Sequence, residues 1–304
     1  MSSQALWRGR LALGAAVVIW STPAIFQFWL ANNFDPWTQN FYRYAAGLLA
    51  MAPFAVRPYL KRGGSIDRRE LAGYLFAAIP NASHQVLQTM AVVLLWPGLY
   101  ALIGRSSVLI TAVLAVVLFA DERWIARSRK FQIGTALGLL GVAGLIWSPG
   151  QDGAGVSVAG LLLGFGAAAS WGIYAVLVKK FAARGGPMLG SWVIGCFTVA
   201  LLVPPMSLWG DFGALLHADA WTNFVLIFSG VLSIGIGHWL YYIGIRDLGA
   251  APSQTGLLLC PLGTMVISSF LFGETFRIEE VAAGALLLFG AFLALSAQPT
   301  PRRS

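Results

Sequence analysis

Six polar side chains crowd one otherwise apolar stretch of this chain: Asn81, Ser83, His84, Gln85, Gln88 and Thr89. Asn81, His84 and Gln88 follow one another at steps of three and four residues, which places them on one face of an α-helix. Amides, hydroxyls and an imidazole in such a stripe can hold a polar solute by hydrogen bonds, or can tie one helix to its neighbours. They contain no nucleophile elbow, no phosphate loop and no metal-ligand spacing. Two further residue types stand out of place. Trp20 and Trp171 lie in the middle of apolar stretches, away from the ends where membrane tryptophans usually gather. Arg43 and Arg105 sit about seven residues inside theirs, roughly 10 Å at 1.5 Å per residue, within reach of an interface by snorkelling. Arg105 is also a candidate to attract a carboxylate.

The elements that must position these residues are set by composition. Hydrophobic residues make up 58% of the chain and charged residues 11%, with a mean hydropathy of +0.73, whereas a soluble domain carries roughly a quarter charged residues. The apolar residues come in blocks of about twenty, the length that crosses a hydrocarbon core about 30 Å thick. Reading those blocks against charged or Gly/Pro/Asn breaks predicts ten helices at about 10–31, 36–57, 70–95, 98–119, 130–147, 156–178, 188–209, 221–245, 252–272 and 279–297. With the N-terminus inside, 17 of the 20 Lys and Arg residues fall in cytoplasmic loops or tails, Arg277 alone falls outside, and Arg43 and Arg105 lie within helices. The net charge of +8 is thereby a consequence of topology and not a nucleic-acid footprint. Arg8 and Arg10 precede the first block with no small-x-small cleavage site after it, so an uncleaved first helix is expected. Cys196 and Cys260 both lie in apolar segments, which argues against a disulfide framework.

The two halves of the chain repeat weakly. Ile19-Trp20-Ser21 in the first block answers Ser170-Trp171-Gly172 in the sixth, and Leu118-Phe119-Ala120-Asp121-Glu122 after the fourth answers Leu271-Phe272-Gly273-Glu274 after the ninth. The tryptophans are 151 residues apart and the glutamates 152. Five helices per half would set the halves in opposite orientations, as in inverted-repeat transporters. With the Phe41-Tyr42-Arg43 run of the second block and the glycines of the fifth and tenth, Gly134, Gly138, Gly141, Gly284 and Gly290, the chain resembles the drug/metabolite transporter superfamily of the ten-helix, EamA-like kind. The Trp20-Ser21-Thr22-Pro23 segment looks most like the bacterial exporters of aromatic and other neutral amino acids. The resemblance implies an all-α membrane protein of two inverted five-helix repeats, residues 1–147 and 148–304, with both termini cytoplasmic in a bacterial inner membrane. It also implies a structural or gating ion pair at Arg43 and matched acidic ends at Glu122 and Glu274.

On this footing the substrate contacts are expected from Trp20, Asn81, His84, Gln88, Tyr100, Trp171, Tyr242 and Ser253. The gating or structural set is Arg43, Arg105, Pro261, Glu122 and Glu274. Trp20 and Trp171 are expected to approach each other across the central axis, and Pro261 to kink the ninth helix. The cavity is expected between the first, third, fourth, sixth, eighth and ninth helices, with the fifth and tenth packing through their glycines. All twelve acidic residues fall in loops or helix ends, which disfavours a mid-membrane carboxylate that exchanges protons for cations. The expected partners are a small-molecule solute and lipid, with no cofactor, no metal and no nucleic acid; a monomer suffices. An export of drugs, nucleosides or other metabolites is the alternative within the same superfamily, and an enzyme or scaffold has little support.

Overall fold

A computed structural model of the chain describes residues 3–61, 66–148, 156–181, 187–248, 253 and 255–296. Among the described residues there is helix and turn and no strand. In chain order the helices are α1 (Ser3–Trp20), α2 (Pro23–Leu30), α3 (Pro36–Lys61), α4 (Arg68–Leu95), α5 (Pro97–Gly104), α6 (Ser106–Leu118), α7 (Arg129–Ile146), α8 (Val158–Phe181), α9 (Pro187–Trp209), α10 (Ala214–His217), α11 (Ala220–Gly230), α12 (Gly237–Leu248), α13 (Cys260–Phe272) and α14 (Ile278–Leu295). Among the described residues six stretches are long and apolar enough to cross a membrane: Gln4–Leu30, Pro97–Ala115, Val158–Val178, Met188–Trp209, Ala220–Gly244 and Ile278–Leu295. α3 and α4, of 26 and 28 residues, are as long but carry Thr38, Gln39, Asn40, Arg43 and the polar stripe of α4. Their polar faces turn inward, while Leu49 of α3 and Phe76 of α4 stand exposed on the outer side. The outside is apolar: Phe270 is 90% exposed and Trp147 81%, as lipid-facing and interfacial side chains are.

Two helix pairs bind the molecule through close contact. α4 packs along α8, and α7 along α14. In the second pair glycine brings backbone against backbone. A Cβ placed on Gly141 would stand 2.5 Å from Leu287 N and 2.6 Å from Ala283 O, and one on Gly134 2.5 Å from Ala294 N. Gly290 faces Gly134 and Gly138 across the seam, whereas Gly284 turns to Leu102 of α5.

Several expected helices are broken, and the reasons are local. The first divides at Ser21-Thr22 because Pro23 has no N–H to continue the ladder. The Thr22 hydroxyl donates to Ile19 O at 2.6 Å and the Thr264 hydroxyl to Ser21 O at 2.9 Å, so both loosened carbonyls are taken up. The fourth divides at Arg105, whose N–H bonds back to Leu102 O at 3.0 Å in a tight turn. The eighth loosens to a π turn over Val231–Ile236. Pro261 stands in the first turn of α13, directly after the 3-10 turn Leu257–Leu259 that interrupts the ninth helical run, so its missing N–H falls at the interruption. Between α4 and α5 a sharp corner is made by Trp96, at φ 65°, followed by Pro97. That corner is held from the far half of the chain. Glu274 is buried and accepts from Gly98 N at 2.9 Å and Leu99 N at 3.0 Å, with the Ser268 hydroxyl donating to the same carboxylate. A carboxylate on free helix N–H groups combines a cap with a favourable charge–dipole contact. Asp219 does the same locally for α11: the Thr222 hydroxyl and the backbone N–H groups of Thr222 and Trp221 hold its carboxyl below the usual range.

Two outcomes follow for stability in detergent. Glu274→Ala leaves the α5 N-terminus uncapped and is expected to cost about 1–3 kcal/mol; Gly141→Ala forces the α7–α14 seam apart and is expected to cost about 1–3 kcal/mol. Thermal unfolding of the purified variants measures both, and a wild-type midpoint for either removes the corresponding contact from the account.

Candidate functional site

The breaks in α1–α2, α5–α6 and α11–α12 all open on one cavity of about 160 Å³. That is room for on the order of ten water molecules, and so for a small solute. Its walls are Trp20, Pro23 and Ala24 from α1–α2; Arg43 and Tyr44 from α3; His84, Gln85 and Gln88 from α4; Tyr100, Ala101, Gly104, Arg105, Ser107 and Val108 from α5–α6; Trp171 from α8; Ser233, Ile234 and His238 from the π turn and α12; and Leu257 and Thr264 beside α13. α3 thus joins the helices expected around it. A cleft of about 10 Å³ adjoins, sharing Tyr44, Ile234 and His238 and including Asn81, Tyr174 and Ser191.

The α4 stripe lines this space and ties helices together at once. Asn81 Nδ2 donates to Thr198 Oγ1 of α9 at 2.9 Å and to Tyr44 OH of α3 at 3.1 Å. His84 Nδ1 lies 2.9 Å from Ala167 O of α8. A carbonyl only accepts, so in the neutral ring Nδ1 carries the hydrogen and Nε2 is an acceptor. Gln88 Nε2 donates to Gln27 Oε1 at 2.7 Å, Gln27 Nε2 to Thr89 Oγ1 at 2.9 Å, and Asn40 Nδ2 to Thr89 Oγ1 at 3.0 Å. Gln27, Asn40 and Thr89 are wholly buried. This chain of amides fixes α2, α3 and α4 behind the cavity wall, since a satisfied buried network has one low-energy arrangement.

The two indoles line the cavity but pack on histidines and not on each other. Trp20 meets His238 with ring centroids 5.0 Å apart, edge to face, and Tyr241 at 4.8 Å; its Nε1–H donates to Ser233 O at 2.9 Å. Trp171 meets His84 at 4.9 Å and Tyr174 at 5.1 Å. The π turn explains the Trp20 bond: widening the helix frees a carbonyl that a neighbour must satisfy.

Arg43 is 2% exposed and does not snorkel. Its Nε donates to Ser229 Oγ of α11 at 2.9 Å, where Gly230 lets α11 approach the Arg43 backbone directly. Among the described residues no carboxylate pairs with Arg43; an ion pair is formed by Arg8 and Asp247, 2.7 Å, joining the start of α1 to the end of α12. Arg105, at the α5–α6 break, stands beside His84, Tyr100 and Cys260. No carboxylate among the described residues lines the cavity.

Of the expected contacts, Trp20, His84, Gln88, Tyr100 and Trp171 meet here, with Arg43 and Arg105. Asn81 lies in the adjoining cleft. Tyr242 stands off the wall behind His238, at 6.3 Å. Ser253 is buried beside Gly244 and Leu13, away from the cavity. Glu274 holds the α4–α5 corner; Glu122 falls in the 3-10 turn Ala120–Arg127, its side chain outside the described ones. Tyr44, Gln85, Ser107, Ser233, His238 and Thr264 enter the wall without having been expected there. The clue was polarity inside apolar stretches, which Gln85, Ser107, Ser233 and His238 all show. Among the described residues no three His, Cys, Asp or Glu side chains converge to hold a metal ion.

The chain matches the model of the EamA-like transporter family twice, over residues 7–147 and 158–296. It is 26% identical to the uncharacterized transporter YyaM of Bacillus subtilis over 211 residues, 64% of this chain and 63% of that protein, so that it spans less than two thirds of that relative's length. It is 29% identical to the uncharacterized transporter YvbV of the same organism over 71% of this chain and 68% of that one, and 24% identical to an uncharacterized transporter of Archaeoglobus fulgidus over 94% and 96%. A protein of known crystal structure, 18% identical, superposes with a TM-score of 0.65 over 97% of each chain and so shares the fold. With both matches together spanning most of its length, the chain belongs to the EamA-like transporter family, within the drug/metabolite transporter superfamily, and is a multi-pass membrane protein.

Proposed function

We propose that this protein exports amino acids, aromatic and other neutral ones, across a bacterial inner membrane by alternating access through the cavity between its two halves. In this reading α1–α2, α3, α4, α5–α6 and α7 are five passes of one repeat, residues 1–147. α8, α9, α11–α12, the segment ending in α13, and α14 are five passes of the other, residues 148–304, in inverted orientation with both chain ends cytoplasmic. The observation that carries the reading is the cavity with its two tryptophan–histidine pairs. Trp20 of the first half packs on His238 of the second, and Trp171 of the second on His84 of the first. Helices α1 with α12 and α8 with α4 form the matching contacts. Such exchange of like pairs between halves is what a pseudo-twofold relation produces, and it supports a substrate site at the repeat interface. The aromatic faces of Trp20, Tyr100 and Trp171 suit an apolar side chain, and His84, Gln88 and Arg105 suit the backbone groups of an amino acid. Tyr242, Ser253 and Pro261 take secondary places, as residues that shape the α12–α13 region behind the wall.

Uptake of a radiolabelled amino-acid panel into liposomes holding the purified protein, with and without a proton gradient, tests the reading. Saturable uptake of neutral and aromatic amino acids is expected, indifferent to the gradient because no described carboxylate sits in the cavity to carry the proton. His84→Ala and Trp171→Ala are each expected to lower uptake by at least about tenfold while remaining inserted and monodisperse. Wild-type uptake in both variants sinks the site, and no amino-acid uptake by the wild type moves the substrate to another metabolite or drug.

A further inference from the structure

We infer that the cavity carries an oxyanion site between Arg43 and Arg105, so that its cargo is an organic carboxylate on an aromatic or apolar body and needs no ammonium group. The inference rests on the cavity being the substrate site, as proposed above, and narrows the chemical class it takes. Arg43 and Arg105 both line the cavity. Arg43 is buried, and its Nε donates to one neutral hydroxyl, Ser229 Oγ; the other N–H groups of its fork have no carboxylate partner among the described residues. Arg105 also has no carboxylate among the described residues. A planar fork pairs with a carboxylate through two parallel hydrogen bonds, and a carboxylate in this cavity would meet two positively charged side chains.

The opposite case weakens on the same residues. A cationic solute would find indole and phenol faces, which attract cations. It would also meet two like charges at low dielectric, where Coulomb repulsion outweighs a ring quadrupole, and no described carboxylate to offset them.

The test uses the full-length protein in nanodiscs and three ligands that share one phenylethyl body: 3-phenylpropionate, phenylalanine and phenethylamine. Binding is read by thermal shift and intrinsic tryptophan fluorescence. Phenylpropionate and phenylalanine are expected to bind within about tenfold of each other and phenethylamine at least about tenfold more weakly, as the loss of a charged hydrogen bond requires. Arg105→Gln, and separately Arg43→Gln, is expected to weaken phenylpropionate by at least about tenfold without weakening phenethylamine. If Arg43→Gln does not fold, the wild-type ligand series and Arg105→Gln decide. Phenethylamine binding as tightly as the acid, or an unchanged affinity for the acid in Arg105→Gln, overturns the inference. Phenylalanine transported while phenylpropionate fails to bind overturns this inference alone; no binding and no uptake of any amino acid removes the cavity reading along with it.

Discussion

Hydrocarbon offers no hydrogen bonds, so every backbone group that leaves its helical ladder must be met by another part of the protein. The cavity is built out of that constraint. Two breaks in spans and one corner between spans are closed by side chains from distant segments: the Thr264 hydroxyl on Ser21 O, the Trp20 indole on Ser233 O, and the Glu274 carboxylate on Gly98 and Leu99 at the α4–α5 corner. Where the breaks lie, helices are shortened or widened and cannot pack flush, and the space left over is the cavity. The closing groups come from the other half of the chain, so the halves cannot move against each other without exchanging these bonds. The alternating access proposed above would have to exchange these contacts.

The electrostatics follow from the same geometry. A charged residue in mid-membrane costs about 2.5–3.5 kcal/mol on insertion scales and needs a partner or a hydrated space. Arg43 and Arg105 are given the space, together with Ser229 and Cys260 as neutral neighbours. Carboxylates are placed elsewhere, Asp247 on Arg8 and Glu274 on a helix terminus. Separating the charges in this way leaves the cavity positive.

Much of this was legible in the residues. The apolar blocks located the helices, and the stripe of α4 pointed at the interior because three- and four-residue spacing cannot be satisfied by lipid. Trp20, His84, Gln88, Tyr100 and Trp171 converge as their placement in apolar stretches suggested. The breaks were less visible. Pro23 marks one, although its block reads as a single helix over 10–31, and the others carry only glycine, Gly104 before Arg105 and Gly235 in the π turn, a residue that unbroken helices of this chain also contain. Pro261 signals the interruption that the 3-10 turn Leu257–Leu259 makes directly before it, but not its form. The Gln27–Thr89–Asn40 network was hidden because its members come from three segments, and periodicity within one segment says nothing about partners in another. Ser253 was placed by its helix and not by its face, which turns to Gly244.

The central claim, that solute occupies the cavity between the halves, is tested most directly by cysteine protection. Ser107→Cys, on the cavity wall, in a Cys196→Ala, Cys260→Ala background would be reacted with a small membrane-impermeant thiol reagent in the presence and absence of a transported amino acid. The account predicts that the cysteine reacts and that saturating substrate slows the reaction with a midpoint equal to the transport KM. Labelling at the same rate with and without substrate would contradict it.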